Sequence, residues 1–275
     1  EHNGGSSDTP LIVACQEGHH EIVSTILNTS SPQSKVKLAS PLNLNLQSFD
    51  GFTAFMYACL QGHQSTVSTI LNACNAQSKL KFVPPLDLNI QSGDGATALI
   101  ISTINHFQAE KKRKSILSSI LNACDAQSNI KLASPLDLNI QDRSGTTVLM
   151  RFLNSFQNNA DILALTQQMI EQHHANIHLM TKNNMNVVDF AMDQNHLETT
   201  KYLMVIGGKL SSHSSRSRDF SVCNASEKAV AQWIDYFGKE NNFGVVSLKL
   251  LILRQEIYPL NQGKVSIPPD FPDIL

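Results

Sequence analysis

The sequence predicts an all-α fold in which pairs of helices repeat in tandem. The main observation is that three 21-residue segments are nearly identical and recur at similar spacing. They are Asn28 to Ser48, Asn72 to Ser92 and Asn122 to Asp142. Each follows an Ile-Leu pair and precedes a Gly and a Thr, and self-similarity at a fixed period is typical of repeat proteins.

Equivalent threonines define the register of the repeat. Thr9, Thr53, Thr97 and Thr147 are separated by 44, 44 and 50 residues. Each Thr can cap a short first helix, which we expect to end near a Gly-His pair where one is present. The second helix of the second unit carries Val67, Ile70, Leu71 and Cys74 at i, i+3, i+4 and i+7, an apolar stripe that a neighbouring repeat must bury. Because Cys74 and Cys124 continue this spacing, we expect about one extra helical turn there.

The segment between the second helix of one unit and the Thr of the next changes its pattern. Lys79 to Phe82 alternates between polar and apolar residues, as does Leu86 to Ile90, and prolines separate the two pieces. Alternation together with proline predicts extended chain rather than helix. We expect the three copies of this insert to stack on one another, and the alternative is three independent surface loops.

The repeat resembles the ankyrin repeat. The first unit reads DTPLIVACQEGH from Asp8 and the second reads GFTAFMYACLQGH from Gly51, against the family signature G-x-T-P-L-H-x-A-x-x-x-G-H. His174-Ala175-Asn176 in the fourth unit stands where the family has Gly-Ala-Asp. The resemblance implies an ankyrin-repeat solenoid with short β-hairpin tips and five units, at 7–50, 51–94, 95–144, 145–183 and 184–210.

Two departures from the ankyrin pattern affect the expected packing. The usual His of T-P-L-H is replaced by Ile12, Met56, Ile100 and Met150, so an apolar contact must replace its hydrogen bonds. A spacing of 44 residues also exceeds the ordinary unit of about 33, which leaves room for the inserts described above.

The C-terminal quarter departs from the repeat. Ser211 to Asp219 is rich in serine and predicts a linker. Val230, Trp233, Ile234 and Phe237 then form a helical apolar stripe. We expect residues 220–275 to be helical and to cap the array, because a repeat protein needs a covered end, and a small separate module is the alternative.

Composition excludes several classes of function. A net charge of -2 and a pI near 6.6 give no general attraction to nucleic acid. No apolar run reaches the length of a membrane span. The five cysteines lack a CxxC pair and are expected to be small buried hydrophobes in a reducing, cytoplasmic compartment.

The sequence offers little support for a catalytic or metal site. His173, His174 and His178 lie close together but lack a Cys or carboxylate at ligand spacing. Cys223 and His213 lie in or beside the linker and lack an orienting third residue. We therefore expect no enzyme activity, no cofactor and no metal.

One strong basic run occurs in the third unit. Lys111, Lys112, Arg113 and Lys114 lie at the start of its second helix, where cations are unfavourable near the helix N-terminus. Such a run is usually a solvated face, and the alternatives are a nuclear-import signal or a contact with an acidic partner.

The ankyrin resemblance implies a protein-binding site on the hairpin tips and the exposed side of the first helices. Transferred position by position, it gives Phe49, Asp50, Phe52, Leu60, Gln61, Asp94, Arg143 and Thr146. Two phenylalanines at a tip are suited to anchor an interface, unless they pack on a neighbouring hairpin or insert.

The sequence thus predicts a monomeric, non-enzymatic scaffold that binds a protein partner. A second resemblance, to insert-bearing ankyrin proteins that intracellular bacteria deliver into host cells, implies a host partner and a location in the host cytosol or nucleus. The alternative is a substrate-recruiting part of an enzyme or adaptor, with its active module at or beyond the C-terminal segment.

Overall fold

The computed structural model describes residues 8–31, 33–36, 42–75, 80, 84–104, 110–125, 129–156, 159–194 and 196–208. The chain divides into two compact units, one formed by Glu1–Phe156 with Ala164–Asn176 and the other by Gln157–Leu163 with Ile177–Leu275. The predicted linker and C-terminal cap lie outside the described residues, as do Lys79, Phe82 and Cys223.

The predicted all-α architecture is confirmed. Helices in the described residues follow one another in pairs, and the first member of each pair is the shorter one. Their bounds are α1 Pro10–Gln16, α2 His20–Asn28, α3 Ala54–Leu60, α4 Gln64–Ala73, α5 Ala98–Thr103, α6 Glu110–Ala123, α7 Val148–Ser155, α8 Asn159–Glu171, α9 Val187–Asp193 and α10 Leu197–Val205. The β structure in the described part consists of isolated bridges.

The predicted threonine caps are present. In α1, α3, α5 and α7 the Oγ1 of the Thr before the helix accepts a hydrogen bond from the third backbone N–H of that helix, as in the bond from Ile12 to Thr9 at 3.2 Å. Asn186 takes this role before α9 and accepts from the N–H groups of Val188 and Asp189. These bonds satisfy donors that the first turn of a helix leaves unpaired.

The first helices of successive repeats pack on one another, α1 on α3, α3 on α5 and α5 on α7, and the second helices α2, α4 and α6 do the same. The four apolar residues that replace the signature His are each no more than 1% exposed. They are Ile12, Met56, Ile100 and Met150. The expected substitution of apolar contact for polar bonding is therefore confirmed.

The second helices end earlier than their apolar stripes predict. α4 ends at Ala73, and Cys74 is its C-cap, with its N–H directed to the carbonyls of Ile70 and Leu71. The extra turn is therefore a capping turn, although Cys74 is still buried at 3% exposure. In the third unit α6 is longer, with 14 residues, because it includes Glu110 to Lys114 at its N-terminal end.

The second alternating piece of each insert contains a turn where the sequence predicts extended chain. An Asn or Asp side chain accepts a hydrogen bond from the N–H two residues later, as Asp87 Oδ1 does from Asn89 at 2.9 Å. The same bond joins Asn43 to Asn45 and Asp137 to Asn139. Such side-chain bonds stabilise a turn. The turn directs the apolar residue between the two polar ones into the core, and this residue is Leu44, Leu88 or Leu138 in the three copies.

An asparagine ladder connects successive repeats beside these turns. Asn45 Nδ2 donates to the Pro85 carbonyl at 2.8 Å, and its Oδ1 accepts from the N–H of Asp87 at 2.9 Å. Asn89 bonds Pro135 and Asp137 in the same way, at 2.8 and 3.0 Å. Asn139 makes the corresponding pair of bonds to His174 and Asn176. Each rung joins one turn to the equivalent turn of the next repeat.

The second and third inserts also contact each other directly. Backbone bridges pair Asn75 with Ile130 and Leu86 with Leu132. The N–H of Lys131 donates to Cys74 at 2.8 Å. Stacking is therefore confirmed for these residues, and the alternative of independent loops is excluded for them.

We expect Asn89→Ala to lower the free energy of unfolding by about 1 to 2 kcal/mol, because it removes the partners of the Pro135 carbonyl and the Asp137 N–H. Urea denaturation followed by circular dichroism measures the change. Asn72→Ala is the control, since Asn72 is exposed on α4 and outside the ladder. Equal effects of the two substitutions would show that the rung contributes nothing specific.

Candidate functional site

The hairpin tip before α3 presents the most exposed large hydrophobic side chain among the described residues. Phe49 is 95% exposed. Its turn is fixed by hydrogen bonds from Ser48 N to the Phe52 carbonyl at 2.8 Å and from Gly51 N to the Ser48 carbonyl at 3.0 Å. Gly51 has a φ of 78°, which a glycine adopts without steric cost. The Phe49 ring therefore does not pack on a neighbouring hairpin or insert.

The second tip phenylalanine has a neighbour. Phe52 is half-buried, and its ring centroid lies 5.2 Å from that of Tyr57 on α3. The Tyr57 hydroxyl lies 3.3 Å from Ser48 Oγ. The structure thus adds Tyr57 to the site, a residue that the tip positions alone do not indicate. The signal was its position four residues after the cap Thr53, on the exposed side of a first helix.

The same helix position is apolar and exposed in the first repeat too, where Val13 on α1 is 48% exposed. On α3, Leu60 is half-buried and Gln61 is exposed. Ile101 on α5, which is equivalent to Val13 and Tyr57, is only 1% exposed. We call Val13, Phe49, Phe52, Tyr57 and Leu60 the apolar patch, which belongs to the first two repeats.

The next tip along the array is charged instead of aromatic. Arg143 Nη1 lies 3.2 Å from Asp94 Oδ1, and both side chains are largely exposed. An exposed pair of this kind contributes little to stability, so it chiefly sets the charge pattern of the surface. Thr146 is 7% exposed, and its N–H donates to Asp142 at 2.9 Å. The assignment of Thr146 to the binding surface is therefore wrong, because this residue supports the turn from inside.

Asp142 is a further residue that the sequence reasoning missed. Burial by itself raises the pKa of Asp142, but hydrogen bonds from Ser144, Thr146 and Arg151 outweigh it and hold the pKa below its ordinary value. Arg151 on α7 forms an ion pair with this carboxylate. The position that carries Val13 on α1 and Tyr57 on α3 thus carries Arg151 on α7, a cation paired with Asp142.

The basic run divides into two kinds of residue. Lys111 and Lys112 are exposed and Lys114 is half-buried, but Arg113 is 4% exposed. Arg113 is therefore wrongly included in a basic patch. Burial lowers its pKa from the ordinary value, with nearby Glu110 opposing the shift, and an arginine remains protonated at neutral pH after such a change.

The buried guanidinium of Arg113 lies at two helix ends. Its Nη1 donates to the carbonyl of Thr103, the last residue of α5, at 2.8 Å, and its Nη2 donates to the carbonyl of Ser155, the last residue of α7, at 3.4 Å. It also lies over the Phe156 ring, 4.7 Å from the centroid. In the first two repeats a Gly-His turn ends the corresponding helix, and here a cation satisfies carbonyls at the negative end of the helix dipole.

The described thiols and histidines do not form an active site. Cys15, Cys59 and Cys74 are buried as predicted, whereas Cys124 is half-buried. Burial raises the pKa of the Cys15, Cys74 and Cys124 thiols to about 12, and burial also raises the pKa of the Cys59 thiol above its ordinary value. A thiol of this kind is a poor nucleophile at neutral pH because little thiolate is present.

The three clustered histidines have different surroundings, because the His173 side chain is buried whereas His174 and His178 are exposed. Burial lowers the pKa of His173, partly opposed by Asp125, whose Oδ1 lies 3.2 Å from the ring Nε2. The part of the chain that the structure describes contains no group of three potential ligands placed to hold a metal ion. In the same part, no helix has the length and apolar character needed to cross a membrane.

Comparison with known proteins supports the resemblance to ankyrin repeats. A family model described as ankyrin repeats (3 copies) matches residues 1–81. The crystal structure of EF0377, an ankyrin repeat protein, is similar to this chain with a TM-score of 0.51 and 18% sequence identity, over 74% of this chain and 83% of that one. No curated protein matches the sequence. The fold of the described repeats is the ankyrin-repeat fold.

Proposed function

We propose that this protein is a non-enzymatic scaffold that binds a protein partner through the apolar patch. The single observation that carries the proposal is the 95% exposure of the Phe49 ring. Exposed aromatic side chains in a cluster are typical of interfaces, where aromatic residues anchor the partner. Ankyrin repeats are themselves suggestive of protein interaction, which supports the same reading.

The shape of the patch favours a protein partner. Phe49 stands free at the tip, while Phe52 and Tyr57 support each other and Val13 extends the surface to the neighbouring first helix. Exposed apolar side chains on two successive first helices offer a continuous strip instead of an enclosed cavity. A strip of this kind suits a segment of another protein, which can bury several side chains along it.

We expect Phe49→Ala with Phe52→Ala to weaken partner binding by about 2 kcal/mol or more, as loss of an aromatic anchor does. Isothermal titration with a partner identified by affinity purification measures it. Since Phe52 also packs on Tyr57, Phe49→Ala alone should account for most of the loss without changing the fold.

Ile22→Ala is the matched control for this experiment. Ile22 is 51% exposed on α2, one of the second helices, so its substitution removes exposed apolar surface away from the patch. Affinity that survives Phe49→Ala in a folded protein would refute the site. Equal losses for Phe49→Ala and Ile22→Ala would refute its specificity.

A narrower part of the proposal concerns where the protein acts. The resemblance to insert-bearing ankyrin proteins of intracellular bacteria supports a host protein as the partner, bound by a monomer in the host cytosol. Free buried thiols suit a reducing compartment of this kind. Recovery of a partner from eukaryotic cytosol that depends on Phe49 supports this part, and recovery from bacterial lysate alone contradicts it.

A further inference from the structure

The Asp50 carboxylate at the hairpin tip lacks the partner that its equivalent has in the next repeat. Asp50 and Asp94 occupy the same position in successive hairpins, one residue before Gly51 and Gly95. Asp94 pairs with Arg143 at 3.2 Å. Asp50 is exposed, and among the described residues its carboxylate has neither an ion-pair nor a hydrogen-bond partner.

The reason is the residue that the neighbouring hairpin presents at one position, Gly93 in one case and Arg143 in the other. The N–H of Arg143 donates to the carbonyl of Asp94 at 2.9 Å, and the N–H of Gly93 donates to the carbonyl of Asp50 at the same distance. The backbones therefore meet in the same way at both tips. The hairpin before α5 supplies Gly93 where the hairpin before α7 supplies Arg143, so the Asp50 tip receives the backbone bond but no guanidinium.

The other charged residues of the first two repeats do not replace the missing guanidinium. Between residues 8 and 75, the described acidic residues are Asp8, Glu17, Glu21 and Asp50, and Lys35 is the described lysine or arginine in that stretch. Lys35 follows α2 and lies away from the tip in sequence. The described charged side chains of the first two repeats are thus mainly acidic, and this charge is complementary to a basic partner.

We propose that the protein partner presents an arginine that pairs with Asp50 and lies against the Phe49 ring, next to an apolar residue that covers Tyr57 and Val13. The inference rests on the proposed function, because it names the chemistry of the partner at the same patch. Arginine fits better than lysine, since its planar fork matches a carboxylate while its face stacks on an aromatic ring. Arg143 and Asp94 already form an arginine–aspartate pair at the equivalent position within the chain.

A random peptide library displayed on phage tests the proposal, with the intact chain as the immobilised target. Peptides selected by the wild-type protein are expected to be enriched in arginine beside an apolar residue. Asp50→Asn should abolish the enrichment in arginine. Asp94→Asn is the matched control and should leave it intact, because that carboxylate already has an arginine of its own.

A selected peptide then gives the size of the effect. Asp50→Asn, or replacement of the peptide arginine by lysine, should weaken binding about tenfold, as the loss of one charge-assisted contact does. Selected peptides that depend on Phe49 but lack arginine would overturn this inference and leave the proposed function intact. The absence of any peptide that depends on Phe49 would overturn both.

Discussion

Arg113→Met is expected to lower the free energy of unfolding by about 3 kcal/mol, a larger loss than an ordinary surface substitution causes. The guanidinium is buried against the ends of α5 and α7, and its removal leaves the carbonyls of Thr103 and Ser155 without their donor. Methionine fills part of the volume but cannot donate. Urea denaturation and thermal melting measure the change.

Two control substitutions distinguish the effect of the buried guanidinium from the effects of positive charge alone and of position on α6. Arg113→Lys keeps the charge but loses the fork and the stacking on Phe156, so it should be intermediate between wild type and Arg113→Met. Lys112→Met removes an exposed cation one residue away and should change stability by less than about 0.5 kcal/mol. If Arg113→Met matches Lys112→Met, Arg113 does not hold the two helix ends.

Local signals in the sequence were enough to predict the helix pairs. A capping Thr and an apolar stripe lie within a few residues of the helix that they define, so Thr53 and Val67 could be interpreted without knowledge of the rest of the fold. Arg113 could not, because its partners Thr103 and Ser155 come from two other helices. A run of four cations predicts a solvated face unless such distant carbonyls are known to converge on one of them.

The inserts show a second case in which local sequence signals could not predict the structure. Alternation in Leu86 to Ile90 correctly indicated that Leu86 and Leu88 are buried. The assignment to extended chain was wrong at Leu88 and Asn89, because an aspartate bonding to the N–H two residues later produces the same alternation in a turn. The bonds from Asn89 to the next repeat join residues 46 and 48 positions apart, which periodicity cannot reveal.

For the candidate site, the tip position predicted the exposure of Phe49 and Asp50 but not the inward direction of Thr146. Residues on a tight turn alternate between solvent and the turn interior, and the signature does not state which one bonds to Asp142. Tyr57 was not predicted because the positions transferred from the ankyrin signature lie at the hairpin tips and at the helix ends. The middle of each first helix contributes as well, as Val13 and Arg151 show at the equivalent position.

Gly51→Ala is expected to destabilise the protein by about 3 kcal/mol, through two separate effects. A non-glycine residue at a φ of 78° costs about 1 to 2 kcal/mol. A Cβ at Gly51 would also lie 2.5 Å from the backbone nitrogen of Gly93, so the next hairpin would have to move. Such overpacking adds about 1 to 3 kcal/mol, and chemical denaturation measures the total.

Gly95→Ala separates the two effects, because Gly95 has the same φ of 78° but its Cβ would lie 3.1 Å from the Arg143 nitrogen. It should cost about 1 to 2 kcal/mol, mostly from the backbone conformation, because this contact is only slightly too short. The difference between the two variants then reports how tightly the tip carrying Phe49 and Asp50 is held against Gly93. Equal losses would mean that the tip can shift freely, and an arginine contact that depends on a fixed Asp50 would lose its structural basis.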